Sequence, residues 1–241
     1  MRADRPLRFG VLGSTRGSAL RPVAEAWRQG RLAAEPSVVV SNRAEAPILD
    51  YARAIGVPAV AVSAKGLRRE EFDAAVSRVL RDHGSDLVLL IGYMRIVSPA
   101  FVDEWRGRLF NIHPSLLPRH GGLMDLDVHR SVLEAGDPES GCTLHLAEEE
   151  VDAGRIVLQK RCAVLPGDTP ESLKARVQKL EAEAFLELLG DPGRHVGRPA
   201  SGPTPGSTAR PGAASPMRDR RTQPPPEAGS APVSASGRSA G

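Results

Sequence analysis

The feature that most limits how this chain can fold is a series of short apolar runs spaced by helical stretches. Phe9-Gly10-Val11-Leu12, Val38-Val39-Val40-Ser41, Ala59-Val60-Ala61-Val62, Asp86 to Gly92 and Arg108 to Ile112 are apolar on successive residues, not alternate ones. Strands of that kind are covered on both faces. Between them lie a helix from about Ala19, one from Ala46 to Ala54 ended by Gly56 and Pro58, and one from Arg69 to His83. In the last, Phe72, Val76, Val79 and Leu80 share a face and Gly84 supplies the stop. Strands separated by helices, apolar on both sides, predict an α/β fold built on a parallel sheet.

The second half reads differently. Thr143 to Leu146 and Ile156 to Cys162 form two strands across a short acidic turn, which predicts an antiparallel pair. A last helix is expected from about Thr169 to Leu189, with Pro170 in its first turn and Leu173, Val177, Leu180, Ala184 and Leu188 as its buried stripe. The prediction is one domain over residues 1–190: a single open, mostly parallel, Rossmann-like sheet with helices on both faces and an antiparallel strand pair in the C-terminal half.

Beyond Gly190-Asp191-Pro192-Gly193 the chain turns to Gly, Pro, Ala, Ser and Arg without apolar period, and a disordered tail is expected over 191–241. The tail also explains the charge. The whole chain carries +3, but seven arginines and three acids lie after residue 190, which leaves 1–190 at a net −1. The body therefore lacks the basic footprint of a nucleic-acid binder. Met1 to Arg8 has no apolar secretory core. No stretch reaches the roughly 18 apolar residues of a membrane span. A soluble, cytoplasmic protein is expected. Cys142 and Cys162 are too few for a disulfide framework or a metal-ligand pattern, so no metal is expected.

Two loops carry chemistry. Gly13-Ser14-Thr15-Arg16-Gly17-Ser18 follows the first strand and opens a helix. Free N–H groups at a helix start suit a phosphate. The glycine spacing, and Ser41-Asn42 where a dinucleotide site needs an acid, fit a monophosphate better than a dinucleotide. In Asn111-Ile112-His113-Pro114-Ser115-Leu116-Leu117-Pro118, strand alternation puts Asn111 and His113 on one face, and the prolines then turn the chain out of the sheet. Asp152 follows in the turn Val151-Asp152-Ala153-Gly154. An amide, an imidazole and a carboxylate without a nucleophilic serine or cysteine point to direct group transfer. Asn111 and His113 would stabilise an oxyanion, and Asp152 would orient the histidine or take a proton.

The segment Asn111 to Pro118 resembles the signature of the folate-dependent formyltransferase family. Ile91-Gly92-Tyr93-Met94-Arg95-Ile96 is similar to that family's folate-site strand end, and Glu150-Val151-Asp152-Ala153-Gly154 to its aspartate loop. The resemblance covers about residues 8–189. It implies Asn111, His113 and Asp152 as the catalytic trio, and Gly17, Ser18, Arg69 and Glu181 as substrate-binding residues. It also implies Met94, Arg95, Ile96 and Val97 as the folate lining. His145 matches a position near the catalytic pair, with supporting and packing roles both open. The resemblance further implies 10-formyltetrahydrofolate as a consumed co-substrate and glycinamide ribonucleotide as the acceptor, in a monomer or homodimer. The alternatives are a formyltetrahydrofolate deformylase, transfer to another amine, and a non-catalytic folate-binding protein. The chain departs from the family at Ala19, where Asn is usual, and in a longer loop over 119–129.

Overall fold

In a computed structural model that describes residues 5–195, the chain forms one seven-stranded sheet. The elements run β1 (Leu7–Leu12), α1 (Leu20–Arg28), β2 (Ala34–Ser41), α2 (Pro47–Ala54), β3 (Ala59–Ala61), α3 (Arg69–Asp82), β4 (Leu87–Leu90), α4 (Pro99–Glu104) and β5 (Leu109–His113). There follow α5 (Leu126–Glu134), β6 (Glu139–Leu146), β7 (Ile156–Ala163), α6 (Pro170–Gly190) and α7 (Pro192–His195). The strand order is β3-β2-β1-β4-β5-β6-β7. Five strands are parallel, and β6 and β7 are antiparallel to their neighbours, as the two sequence patterns predict.

The apolar runs feed two cores. Phe9, Val11, Val39, Leu87, Leu89 and Phe110 pack with α1, α2 and α6. Leu12, Val38, Val40, Val88, Leu90 and Leu109 pack on the other side with Phe72, Val76 and Leu80 of α3 and with Phe101, Val102 and Trp105 around α4. Neighbouring residues of one strand thus enter opposite cores, which is why these strands are apolar on every residue. In the last helix, Thr169 Oγ1 caps the Ser172 N–H at 3.2 Å, and Leu173, Val177, Ala184 and Leu188 are buried as expected.

Three helices lie outside the sequence reading. α4 spans only six residues. α5 begins inside the expected 119–129 loop, so the loop ends at Asp125, and His129 is a buried helix residue. Asp125, of a residue type that caps helices, precedes α5 at φ 53 and makes no cap bond, and Asp127 lies in the first turn. The chain also continues past Gly190 through α7, with Pro192 buried. Most of the expected disordered tail, from residue 196 on, lies outside the described residues.

The strand order reverses between β1 and β4, and the crevice beyond the strand ends at such a reversal is where open α/β sheets bind ligands. The glycine loop leaves β1 there, residues 91–97 leave β4, and Asn111 and His113 stand at the end of the next strand, β5.

Candidate active site

Asn111 and His113 fall on the same face of β5 as Leu109, while Phe110 and Ile112 face the opposite core. β5 pairs antiparallel with β6, Asn111 opposite His145 and His113 opposite Thr143. Residues paired directly across two strands share a face, so two imidazoles and an amide converge. Asn111 Nδ2 is 3.1 Å from His145 Nε2. His145 Nδ1 lies 2.8 Å from the Leu146 carbonyl, an acceptor, which places the proton of the neutral ring on Nδ1 and leaves Nε2 to accept from Asn111.

Asp152 reaches this cluster from the turn between β6 and β7. It sits at φ 59, a left-handed conformation that favours short polar side chains among non-glycine residues. Two residues on, a Cβ on Gly154 would lie 1.8 Å from the Leu146 carbonyl oxygen, so only glycine lets the turn fold back against β6. The Asp152 carboxylate lies 3.1 Å from His113 Nδ1, 3.5 Å from His145 Nε2 and 3.5 Å from Asn111 Nδ2, and accepts from the Gly122 N–H at 2.9 Å. Burial alone pushes this carboxyl up. Hydrogen bonds from the His113 ring and the Gly122 N–H outweigh it and hold the group well below the usual carboxylate range. The three catalytic candidates therefore meet in one buried cluster, with His145 as a fourth member.

His113 has acceptors on both sides. Nδ1 faces Asp152, and Nε2 lies 2.9 Å from the His120 carbonyl. Only the doubly protonated ring donates to both. Its side chain is 5 % exposed, so bulk water does not compete for either bond. Beneath it, Thr143 Oγ1 donates to the Ser115 carbonyl at 2.7 Å and accepts from the Leu117 N–H at 3.0 Å and from Gln159 Nε2 at 2.9 Å. This network fixes the segment after His113 onto the sheet.

The glycine loop is shaped by backbone. Gly17 sits at φ 62, and a Cβ there would lie 2.3 Å from Ile48 Cδ1. Ser18 follows, half-buried, and Ala19 precedes α1 without a capping side chain and with no acid in the first turn. The helix start thus keeps its positive dipole end, with the Leu20 N–H bonded to the Gly17 carbonyl at 2.9 Å. Ser14 ties this loop to the β4 end. Its N–H donates to the Gly92 carbonyl at 3.0 Å, its hydroxyl donates to Asn42 Oδ1 at 2.6 Å and accepts from the Met94 N–H at 2.9 Å.

After β4, the large apolar side chains of Met94 and Ile96 are 39 % and 60 % exposed. Val97 is half-buried, and Arg95 turns back over the Phe72 ring at 4.5 Å. Glu181 is half-buried on α6. Burial pushes its carboxyl up to about 7, with the charges of Lys174 and His113 opposing. Arg69 opens α3 on the surface, 3.8 Å from Glu70, and has no contact with the trio. Among the described residues no group of three or more His, Cys, Asp or Glu is arranged to hold a metal, and no helix is long and apolar enough to cross a membrane.

The sequence reading did not single out Ser14 with Asn42, nor His120 with Asp137. Neither pair is close in sequence, and only the fold joins them.

The profile of the formyl transferase family matches residues 7–189. The trifunctional purine biosynthetic protein adenosine-3 of Drosophila melanogaster is 42 % identical over 192 residues, which is 78 % of this chain but 14 % of that protein. The phosphoribosylglycinamide formyltransferase of Escherichia coli is 39 % identical over 172 residues, 71 % of this chain and 80 % of that enzyme. The crystal structure of glycinamide ribonucleotide transformylase 1 from Symbiobacterium toebii superposes with a TM-score of 0.73 at 40 % identity, covering 76 % of this chain and 86 % of that one.

Proposed function

The chain belongs to the formyl transferase family, and from that premise we propose that it transfers the formyl group of 10-formyltetrahydrofolate to the amine of glycinamide ribonucleotide, as a cytoplasmic enzyme of purine synthesis. The observation that carries this reading is the buried cluster of Asn111, His113 and Asp152 at the end of β5, with both His113 nitrogens facing acceptors.

The reaction exchanges the formyl C–N bond to the folate nitrogen for one to the amine. One proton leaves the amine and one arrives on the folate nitrogen. Attack on the formyl carbon puts negative charge on its oxygen. A proton on His113, whose two nitrogens both face acceptors, would set a positive charge beside that oxygen, and the Asn111 amide supplies N–H donors to it. Asp152 keeps His113 oriented and, held as a carboxylate, receives the amine proton directly or through water. The Asn111 amide N–H groups lie 3.1 and 3.5 Å from His145 and Asp152, and turn from them toward the developing charge.

Gly17 and Ser18 would hold the substrate phosphate at the start of α1, and Glu181 would face the rest of that substrate. Met94, Ile96 and Val97 offer the folate ring an apolar surface, with Arg95 behind it. Arg69, at a distance from the trio, fits a contact with an outlying acidic part of a ligand.

Tetrahydrofolate release from the purified protein, with and without glycinamide ribonucleotide, tests this. Amine-dependent release is expected, and Asn111→Ala is expected to lower kcat by about 10²–10³. Release without the amine means a deformylase. No release in either mixture means another acceptor or a binding protein.

A further inference from the structure

The second acceptor for His113 is a main-chain carbonyl that needs holding. His120 carries a Cβ yet sits at φ 58, where a residue with a side chain stays only if its surroundings fix it. Its ring is fixed on both nitrogens. Nδ1 lies 2.8 Å from Ser131 Oγ on α5, and Nε2 lies 2.9 Å from Asp137 Oδ2. The His120 and Asp137 side chains are only 10 % and 7 % exposed. The other Asp137 oxygen pairs with Arg119, whose carbonyl accepts from Ser115 Oγ at 2.6 Å. One buried carboxylate, in the turn between α5 and β6, therefore fastens two successive residues of the loop that covers the cluster.

We propose that Asp137 is a positioning residue for formyl transfer: through the His120 ring it keeps the His120 carbonyl against Nε2 of His113. The inference rests on the reading of His113 as catalytic. Asp137 touches neither His113 nor Asp152. It acts from 17 residues beyond His120 in sequence by holding a strained backbone whose carbonyl completes the His113 environment. Without the ring anchor, residue 120 is released from the left-handed conformation, the carbonyl turns away, and the imidazole loses one of the two bonds that fix its plane.

The test uses Asp137→Ala, His120→Gly and the double variant. Glycine accepts the left-handed backbone without cost, so His120→Gly removes the anchor while leaving the loop path available. Each single change is expected to lower kcat about tenfold or more, with KM for both substrates moved by less than about threefold. The double variant is expected to fall no more than about threefold below the poorer single one, because Asp137 acts through the His120 ring. A readout independent of turnover is the low-field proton resonance of His113 Nε2–H, assigned by its loss in His113→Gln. It is expected to be protected from exchange in the wild type and lost in each variant.

An unchanged kcat in His120→Gly overturns the proposal whatever the resonance does. So does a double variant whose loss is the product of the single losses. A wild-type protein that transfers no formyl group, but loses the resonance in both variants, would keep the positioning of His113 and overturn the assigned reaction.

Discussion

At the ends of β1 and β4 the site is made of backbone, whereas at the ends of β5 and β6 it is made of side chains. The first region offers a left-handed Gly17, an uncapped helix start and main-chain bonds through Ser14. The second gathers an amide and two imidazoles around a carboxylate, each within 3.5 Å of the Asp152 oxygens. Backbone N–H groups recognise an anion by shape and partial charge, and change little during a reaction. Side chains that titrate or donate can respond to charge that appears only in a transition state. On the proposed function, the ends of β1 and β4 hold substrate and the ends of β5 and β6 carry the chemistry.

Asp152→Asn presses hardest on this division. It keeps the shape of the side chain and removes the charge that orients His113. A fall in kcat of about 10³ is expected with KM changed little, measured as steady-state tetrahydrofolate release. A loss confined to KM would show that the cluster serves binding, and the contrast would fail.

Gly17→Ala should do the opposite. The added methyl meets Ile48 and forces a left-handed conformation on alanine, at a cost of about 1–3 kcal/mol in stability. The melting temperature should fall and KM for the phosphate-bearing substrate should rise about tenfold or more, with kcat at saturation within a few fold. A selective loss of kcat would mean that the glycine loop takes part in the chemical step.

The smallest expected effect concerns Glu181, which burial holds near 7 against an ordinary value of 4.5. Below the ordinary value the group is protonated in the folded and the unfolded chain and contributes nothing. Between that value and about 7 the unfolded chain releases the proton and the folded chain keeps it, so stability falls as pH rises through this window and stays lower above it. Glu181→Gln should accordingly be more stable than wild type at pH 8 by up to about 2 kcal/mol, and equal to it at pH 4, in urea titrations. An equal difference at both values would mean that the burial cost is not electrostatic.

The two regions also differ in how far the sequence revealed them. The glycine loop and the Asn-x-His segment are local: spacing, strand alternation and flanking prolines suffice to place them. The α5 start is not local in that sense, because Asp125 has the residue type of a cap but sits at φ 53 and makes no cap bond. Its buried Val128 and Val132 are chosen by what packs against them. Likewise His145 reads as an ordinary strand residue until the β5–β6 register sets it opposite Asn111.

By itself the sequence determined the α/β class, the switch from parallel to antiparallel strands, and the placing of Asn111 and His113 on one strand face, because hydrophobic periodicity and turn chemistry act over a few residues at a time. Tertiary structure alone decided that Asp152 reaches His113 across 39 residues, that His120 turns its carbonyl to the same ring, and that Asp137 holds it there. Those contacts depend on strand register, on left-handed turns at Asp152 and His120, and on burial that excludes water. All three are set by the packing of distant segments, and no short window of sequence encodes them.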